Sequence, residues 1–445
     1  MHIRETVMIW SLRWKSALLW VLVVLSLCPL VPRIALGDNL KTTLLNRRTA
    51  AIESIQAKDA KRHIDALASD PFEGREAGSR GGRAAAIYLT QEYARLKLQG
   101  IANGKSYVQE FGNNMQNIVG LLPGRDETLK NEYVIVSAHF DHVGYGDAQT
   151  SLGPIGSIHN GADDNASGVS SVLEIAAAFT ELQVSPRRSV IFALWDGEEK
   201  NLLGSRHWIG APTVPLKQVK FALNIDMVGR LQKNEHVEIG GVRTAPGLRE
   251  IVSRHNQISG LKADFPWEIP DNSDHYPFFE QGIPFIYPFT GFHDDYHRPS
   301  DDADRIQAEG VERITRWMFS LLLDLSESDE IPKYRTASRN EGESQQQTFE
   351  RQSEHADEGL MWREDEAEPT TILVVNLEPG SRMQRTGLMP HDRIYAVGEQ
   401  RFKTGGIFQE LLKDQEEEST LLIEREGQYY SLKLPARSES EASAK

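Results

Sequence analysis

The chain has 445 residues, enough for two or three domains, and its 40% hydrophobic and 25% charged content is a soluble globular balance. A net charge of -15 argues against nucleic acid or an anionic membrane surface as the main partner. The one cysteine, Cys28, sits near the N-terminus, so the rest of the chain has no disulfide and no thiolate ligand, and metal chemistry there falls to His, Asp and Glu.

The chain opens on what reads as an export signal. Arg13 and Lys15 precede the apolar run Ser16–Leu27, and Ala35-Leu36-Gly37 offers small residues for cleavage. Residues 1–37 are therefore expected as a signal peptide or N-terminal anchor. The protein would be periplasmic, secreted or bound to the cell envelope, and would meet a membrane only if the segment stays uncleaved.

From 38 to 325 the pattern is that of one large α/β domain. Leu40–Asp70 reads as charged helix, with Ile64 and Leu67 on one face, and a Gly-rich loop follows at Asp70–Gly82. The next helix places Ala86, Leu89, Tyr93 and Leu96 toward a core. Tyr133–Ser137, Ser189–Trp195, Phe221–Val228 and Pro284–Pro288 are short apolar runs of strand composition, with a helix at Val169–Leu182 and a closing helix at Ile306–Leu325. Buried strands alternating with helices predict a mixed, mostly parallel sheet with helices on both faces. Residues 326–368, rich in Glu, Ser and Gln, read as an acidic, flexible linker. Residues 369–437 read as a small β-rich domain, and 438–445 as a tail.

Acids and histidines gather where the predicted strands end. The first strand runs into His139-Phe140-Asp141-His142. Ligands of open α/β sheets collect outside the carboxyl ends of the strands, and Asp141 is spaced to accept the second ring N–H of a metal-bound His139. Asp163 and Asp164 lie between two glycines ahead of a helix, where an acid can also be a simple N-cap. Asp196-Gly197-Glu198-Glu199 reads either as a solvated acidic turn or as a pair in which Glu199 binds metal and Glu198 handles a water proton. Asp226 sits between Ile225 and Met227, where an unpaired charge is expensive. A last cluster spans His293 to Asp301. Two histidines and three carboxylates, one of them bridging, is a ligand set suited to a zinc pair, and the same donors also suit cobalt or manganese.

The ordered runs HFDH, GADDNASG, WDGEE, NIDMVGR and DDYHRPSD closely resemble the cocatalytic zinc aminopeptidases, a family that also includes glutamate carboxypeptidase, glutaminyl cyclase and a metal-free transferrin receptor. The resemblance covers about His63–Leu325, with the GREAGS loop and Ser273–Phe278. It implies a zinc-exopeptidase fold with two zinc ions, one on His139 and Asp226 and one on Glu199 and His297, bridged by Asp164 rather than Asp163. Glu198 would be the general base, Asp141 the acid orienting His139, and Tyr296 a group steadying the tetrahedral intermediate. His293 competes with His297 for the ligand position, but the Tyr-His-x-Pro-Ser-Asp register favours His297 and leaves His293 a supporting or structural place; His142, His159, His207 and His275 read as ordinary loop or packing histidines, or as lining the cleft. The implied activity is aminopeptidase action on peptides with a free N-terminus. The competing readings are a relative with another reaction, such as glutaminyl cyclisation or carboxypeptidase action, and a metal-free binding protein.

Asn376–Phe402 resembles a bacterial PDZ domain: Pro379-Gly380-Ser381 turns the chain, Gly387-Leu388 ends a short helix, and His391 stands where glycine is frequent. A helix at Ile407–Leu412 and the strand pair Leu421–Arg425 and Tyr429–Leu434 complete it. The resemblance implies a site for an extended peptide or a protein C-terminus, taken by strand addition.

Overall fold

A computed structural model describes residues 45–231 and 235–437; the expected signal segment and the tail lie outside the described residues. Of the unit Met1–Ala50, residues 45–50 are described and are helical; the features below belong to the compact unit Ala51–Lys445. Among the described residues no helix is long and apolar enough to cross a membrane.

Nine strands form the main sheet: β1 (Gln99–Gly100), β2 (Val108–Phe111), β3 (Met115–Leu122), β4 (Tyr133–His139), β5 (Ser189–Trp195), β6 (Val219–Asn224), β7 (His236–Gly240), β8 (Lys262–Asp264) and β9 (Phe285–Phe289). Their order is β1-β3-β5-β4-β6-β9-β7-β8, with β2 on β3. The centre, β5-β4-β6-β9, is parallel. The flanks are antiparallel, at β3–β5 and at β9–β7. The sheet is thus mixed with a parallel middle, as the sequence predicts; which strands run antiparallel was not read from the sequence.

Side chains of a strand alternate between faces, and the two faces here carry separate cores. Val134, Val136 and Ala138 of β4 and Val190, Phe192 and Leu194 of β5 face one core with α1 (Ala57–Leu67), α2 (Arg80–Arg95), α3 (Gly168–Glu181), α5 (Leu248–Asn256) and α7 (Ala308–Glu327). Ile135, Ile191, Ala193 and Trp195 face the other, against Trp208 of α4 (Leu203–Gly210) and Phe278 and Phe279 of α6 (His275–Glu280). With both faces covered, the parallel strands read as unbroken apolar runs. Their carboxyl ends, at His139, Trp195 and Asn224, come out side by side.

The segment 326–368 is not the solvated linker its composition suggests. It carries α8 (Glu343–Arg351) and the hairpin β10 (His355–Asp357) and β11 (Leu360–Glu364). That hairpin extends an antiparallel sheet with β12 (Ile372–Leu377), β13 (Arg393–Val397), β14 (Gln400–Arg401), β15 (Ser419–Arg425) and β16 (Gln428–Leu434), over which α9 (Gly405–Lys413) packs. The C-terminal sheet therefore starts well before residue 369.

Polar residues made the segment look solvated, but its charges are consumed by ion pairs. Asp365 is 2% exposed. It accepts from two guanidinium groups, from Arg243 Nη1 at 3.0 and 2.8 Å and from Arg393 Nη2 at 2.7 Å. Arg243 also grips Glu341 at 2.8 and 3.0 Å and lies 3.6 Å above the Trp267 ring. Arg249 holds Glu424 through a two-point contact at 2.8 and 3.1 Å. These pairs tie the C-terminal sheet to the main domain.

Burial opposes the charge on Asp365, but Arg393 and Arg243 hold its carboxyl well below the usual range. Removing one partner of a buried pair strands the other, so Asp365→Ala is expected to cost about 3–5 kcal/mol in urea denaturation at neutral pH. Because the folded-state value is depressed, that stability is present above the unfolded value near ~3.9 and is lost as pH falls below it. The gap between wild type and variant should therefore narrow below about pH 4.

Candidate metal centre

Each central strand delivers one part of the site. β4 ends on His139, which is 1% exposed. β5 ends at Trp195, and Gly197, at φ 78, reverses the chain so that Glu198 and Glu199 follow in a single turn. Asp226 lies two residues past β6, beyond the strand in which the sequence placed it. His297, itself at φ 52, comes from the long loop after β9. Asp164 comes from the irregular turn that enters α3.

These side chains converge. Asp164 sits in the middle: its Oδ1 is 3.3 Å from His139 Nε2, and its Oδ2 is 3.1 Å from His297 Nε2. On one side, His139 Nε2 is also 3.2 Å from Asp226 Oδ1. On the other, His297 Nε2 is 3.0 Å from Glu199 Oε2. Two groups of donor atoms result, each packed within 4.8 Å: His139, Glu198 and Asp226, and His142, Asp164, Glu199 and His297.

The backbone beneath is pinned from two directions. Arg75, fully buried, donates to the carbonyls of Phe140 at 2.8 Å, Leu67 at 2.8 Å, Asn160 at 2.6 Å and Gly161 at 2.8 Å. It thereby joins the loop after β4 to the loop bearing Asp164. Asp301 takes the N–H groups of Asp163 and Asp164 at 3.0 and 3.1 Å. Gly161, at φ 58, admits no side chain: an added Cβ would stand 2.2 Å from the Asp164 carbonyl and 2.5 Å from the His142 ring.

Burial sets the electrostatics. Desolvation holds the Glu198 carboxyl well above its ordinary value against the pull of His139, and Glu199, Asp274 and Asp226 push the same way. Burial also raises Asp226, with His139 opposing. Glu199 lies below its ordinary value: burial and Asp164 work against its charge, but hydrogen bonds from His142 and His297 outweigh them. Burial lifts Asp301 to about 7, with Asp163 adding to it. So many buried carboxylates around imidazole nitrogens form a donor set that suits divalent cations.

Two residues need closer description than the sequence reading gave them. Asp141 keeps its carboxylate within ion-pair reach of His139 but does not hydrogen-bond it through that group. Its backbone carbonyl is the nearer acceptor, 3.2 Å from His139 Nδ1, while its Oδ1 is 3.8 Å away. The carboxylate instead accepts the Glu198 N–H at 3.0 Å, which holds the turn carrying both glutamates. His142, expected to be a packing histidine, points into the centre, with Nδ1 2.8 Å from Glu199 Oε1 and 3.7 Å from Asp164 Oδ2. The signal that would have found it is a contact with residues far upstream: the His142 N–H reaches the Arg75 carbonyl at 3.3 Å.

The other histidines sit elsewhere. His293 pairs with Asp163 at 3.1 Å, and Asp163 turns away from Asp164 to take the Gly229 N–H at 2.6 Å. His159 contacts Ser151 at 2.7 Å, His207 stacks on Phe111, and His275 stacks on Phe285 and Tyr287. Tyr296 stacks on the His297 ring at 4.0 Å. An open cleft of ≈ 690 Å³, lined by Leu152, Phe292, His293, Asp294, Tyr296 and Arg298, adjoins that loop.

Residues 117–322 match the model of peptidase family M28. The chain is 26% identical over 255 residues to leupeptin-inactivating enzyme 1 of Streptomyces exfoliatus, across 56% of this chain and 52% of that protein. It is 28% identical over 254 residues to aminopeptidase YwaD of Bacillus subtilis, across 55% and 50%. The chain thus spans about half the length of these curated relatives. The crystal structure of the Legionella pneumophila LapA aminopeptidase superposes with a TM-score of 0.52 at 19% identity, covering 64% of this chain and 75% of that one, which shows a shared fold.

Arg75→Met keeps the volume but strands four carbonyl groups. It is expected to cost about 3 kcal/mol or more in urea denaturation, since each orphaned buried acceptor costs about 1–3 kcal/mol. It should also weaken zinc retention during dialysis, because both loops it joins carry site residues.

Proposed function

We propose that this chain, whose residues 117–322 match the model of peptidase family M28, is an exported metallo-aminopeptidase that removes N-terminal residues from peptides with two zinc ions and a glutamate base. The observation that carries the reading is the Asp164 carboxylate, whose two oxygens lie 3.3 and 3.1 Å from imidazole nitrogens on opposite sides. In this reading His139 and Asp226 would hold one cation, Glu199 and His297 would hold the other, and Asp164 would be shared between them. Cations so held would lower the pKa of a water toward neutrality and polarise the scissile carbonyl.

The protein's own groups do the proton work. Glu198 stands beside His139 and Asp226, on a turn fixed by the Asp141 carboxylate. It takes a proton from the attacking water and returns it to the leaving amine. Tyr296, whose ring stacks on His297, would donate its hydroxyl to the developing oxyanion. The cleft beside it is walled by Leu152 and Phe292, both more than half exposed, and suits an apolar N-terminal side chain of the leucyl kind. Export rests on the N-terminal sequence pattern. The C-terminal sheet, read as PDZ-like, presents β10, which among the described residues is paired on one side only, as an edge for an extended peptide.

Glu198→Ala is expected to keep its metal and lower kcat on aminoacyl-p-nitroanilides by at least about 100-fold. Turnover near that of wild type would remove Glu198 from the base role. Phe292→Ala should raise KM for leucyl substrates about tenfold with kcat nearly unchanged, because a lost apolar contact is worth about 1–3 kcal/mol. An equal fall in kcat for alanyl and leucyl substrates would show that this wall does not contact the side chain.

A further inference from the structure

We propose that His142 is a direct metal ligand, a sixth protein side chain in the centre, and that the two cation positions are therefore chemically unequal. The proposal rests on the two-cation reading above and adds a donor that this reading does not use.

Four donors around a tetrahedral zinc at 2.0–2.2 Å stand roughly 3.3–3.6 Å from one another. Around the Glu199 position the separations are 2.8 Å from His142 Nδ1 to Glu199, 3.0 Å from Glu199 to His297, 3.1 Å from His297 to Asp164, and 3.7 Å from Asp164 back to His142. They link four residues around one space: an imidazole nitrogen from each of His142 and His297, one Asp164 oxygen, and Glu199, whose Oε1 faces His142 and whose Oε2 faces His297; one donor atom from each lies within 4.8 Å of the others. His142 is 1% exposed, and its ring meets that of His297 edge-on at 5.4 Å, so both nitrogens converge without the planes colliding. On the His139 side a single imidazole faces Asp226 and Asp164, with Glu198 alongside.

The His142 ring is also held in place. Its backbone is bridged to Glu76, and its flat face lies where a side chain at Gly161 would be. His139 and His297 are oriented differently, each through a second ring nitrogen near a backbone carbonyl, of Asp141 at 3.2 Å and of Thr150 at 2.7 Å. His142 depends on packing instead. A site with two imidazoles and two carboxylates binds zinc more tightly than one with a single imidazole, because nitrogen donors favour zinc over harder cations. The Glu199 position should fill first and empty last, and the Asp226 position should exchange readily.

The rival role is that His142 only donates a hydrogen bond to Glu199. His142→Asn separates the two, since its amide keeps an N–H donor but is a poor zinc ligand. Zinc-loaded full-length protein is dialysed against graded chelator, and the metal is counted by mass spectrometry. Wild type is expected to hold two ions that leave in separate steps. In the variant the tightly held ion should weaken by more than tenfold while the looser one stays within about twofold. An unchanged tight step would overturn the ligand role and leave the two-cation reading intact, whereas wild type holding fewer than two ions would overturn both. An independent readout needs no variant: X-ray absorption of wild type carrying one equivalent of zinc should count two imidazoles on the metal, and a count of one would exclude His142.

Discussion

Like charge packed into a small volume is the constraint on which the rest of this structure depends. Asp141, Asp164, Glu198, Glu199 and Asp226 share one crevice at the end of a parallel sheet. Two unit charges ~4 Å apart repel by about 4 kcal/mol at the effective dielectric of ~20 that suits such sites. Such a cluster is stable only if imidazoles, cations or protons interleave the acids, and only if the backbone cannot spread to relieve the strain. The three imidazoles supply the first condition. Arg75 and Asp301, both buried beneath the crevice, supply the second by locking carbonyl and N–H groups of the loops that carry the acids.

The sheet explains why the crevice lies where it does. Three adjacent parallel strands end in register, so residues just past their ends are neighbours although they are far apart along the chain. Two apolar cores clamp these strands from either face, which makes the rim a rigid mount for side chains with little freedom of their own. The C-terminal sheet is joined to this body through arginine–carboxylate pairs that are nearly dry, Arg243–Asp365–Arg393 above all. Cutting the chain at 326 would leave Arg243 and Arg249 without those partners, so the module is part of the folded body.

Much of this was legible in the sequence, and the failures have physical reasons. β5 spans the same residues as the apolar run Ser189–Trp195, because seven residues rich in β-branched and aromatic side chains are too short for a typical buried helix. Asp226 was read inside a strand, but the apolar run continues past the last ladder bond, and Ile225 and Met227 are buried by tertiary packing alone. Residues 326–368 were misread because composition does not reveal pairing: Glu341, Glu354 and Asp365 look solvated until Arg335, Arg363 and Arg243 are placed beside them. His142 was set aside because its inward aim is fixed by the Arg75–Glu76 backbone, a contact no local pattern encodes. His391 adopts the left-handed conformation, φ 74, that the turn requires, in place of the more usual glycine.

Anomalous diffraction at the zinc edge, from crystals of the full-length protein grown with zinc, tests the central claim most directly. The account predicts two strong peaks per chain, one on each side of the Asp164 carboxylate, with His139 and Asp226 around one and Glu199 and His297 around the other. A crevice with no peak, or zinc bound only at surface histidines such as His236, would contradict it.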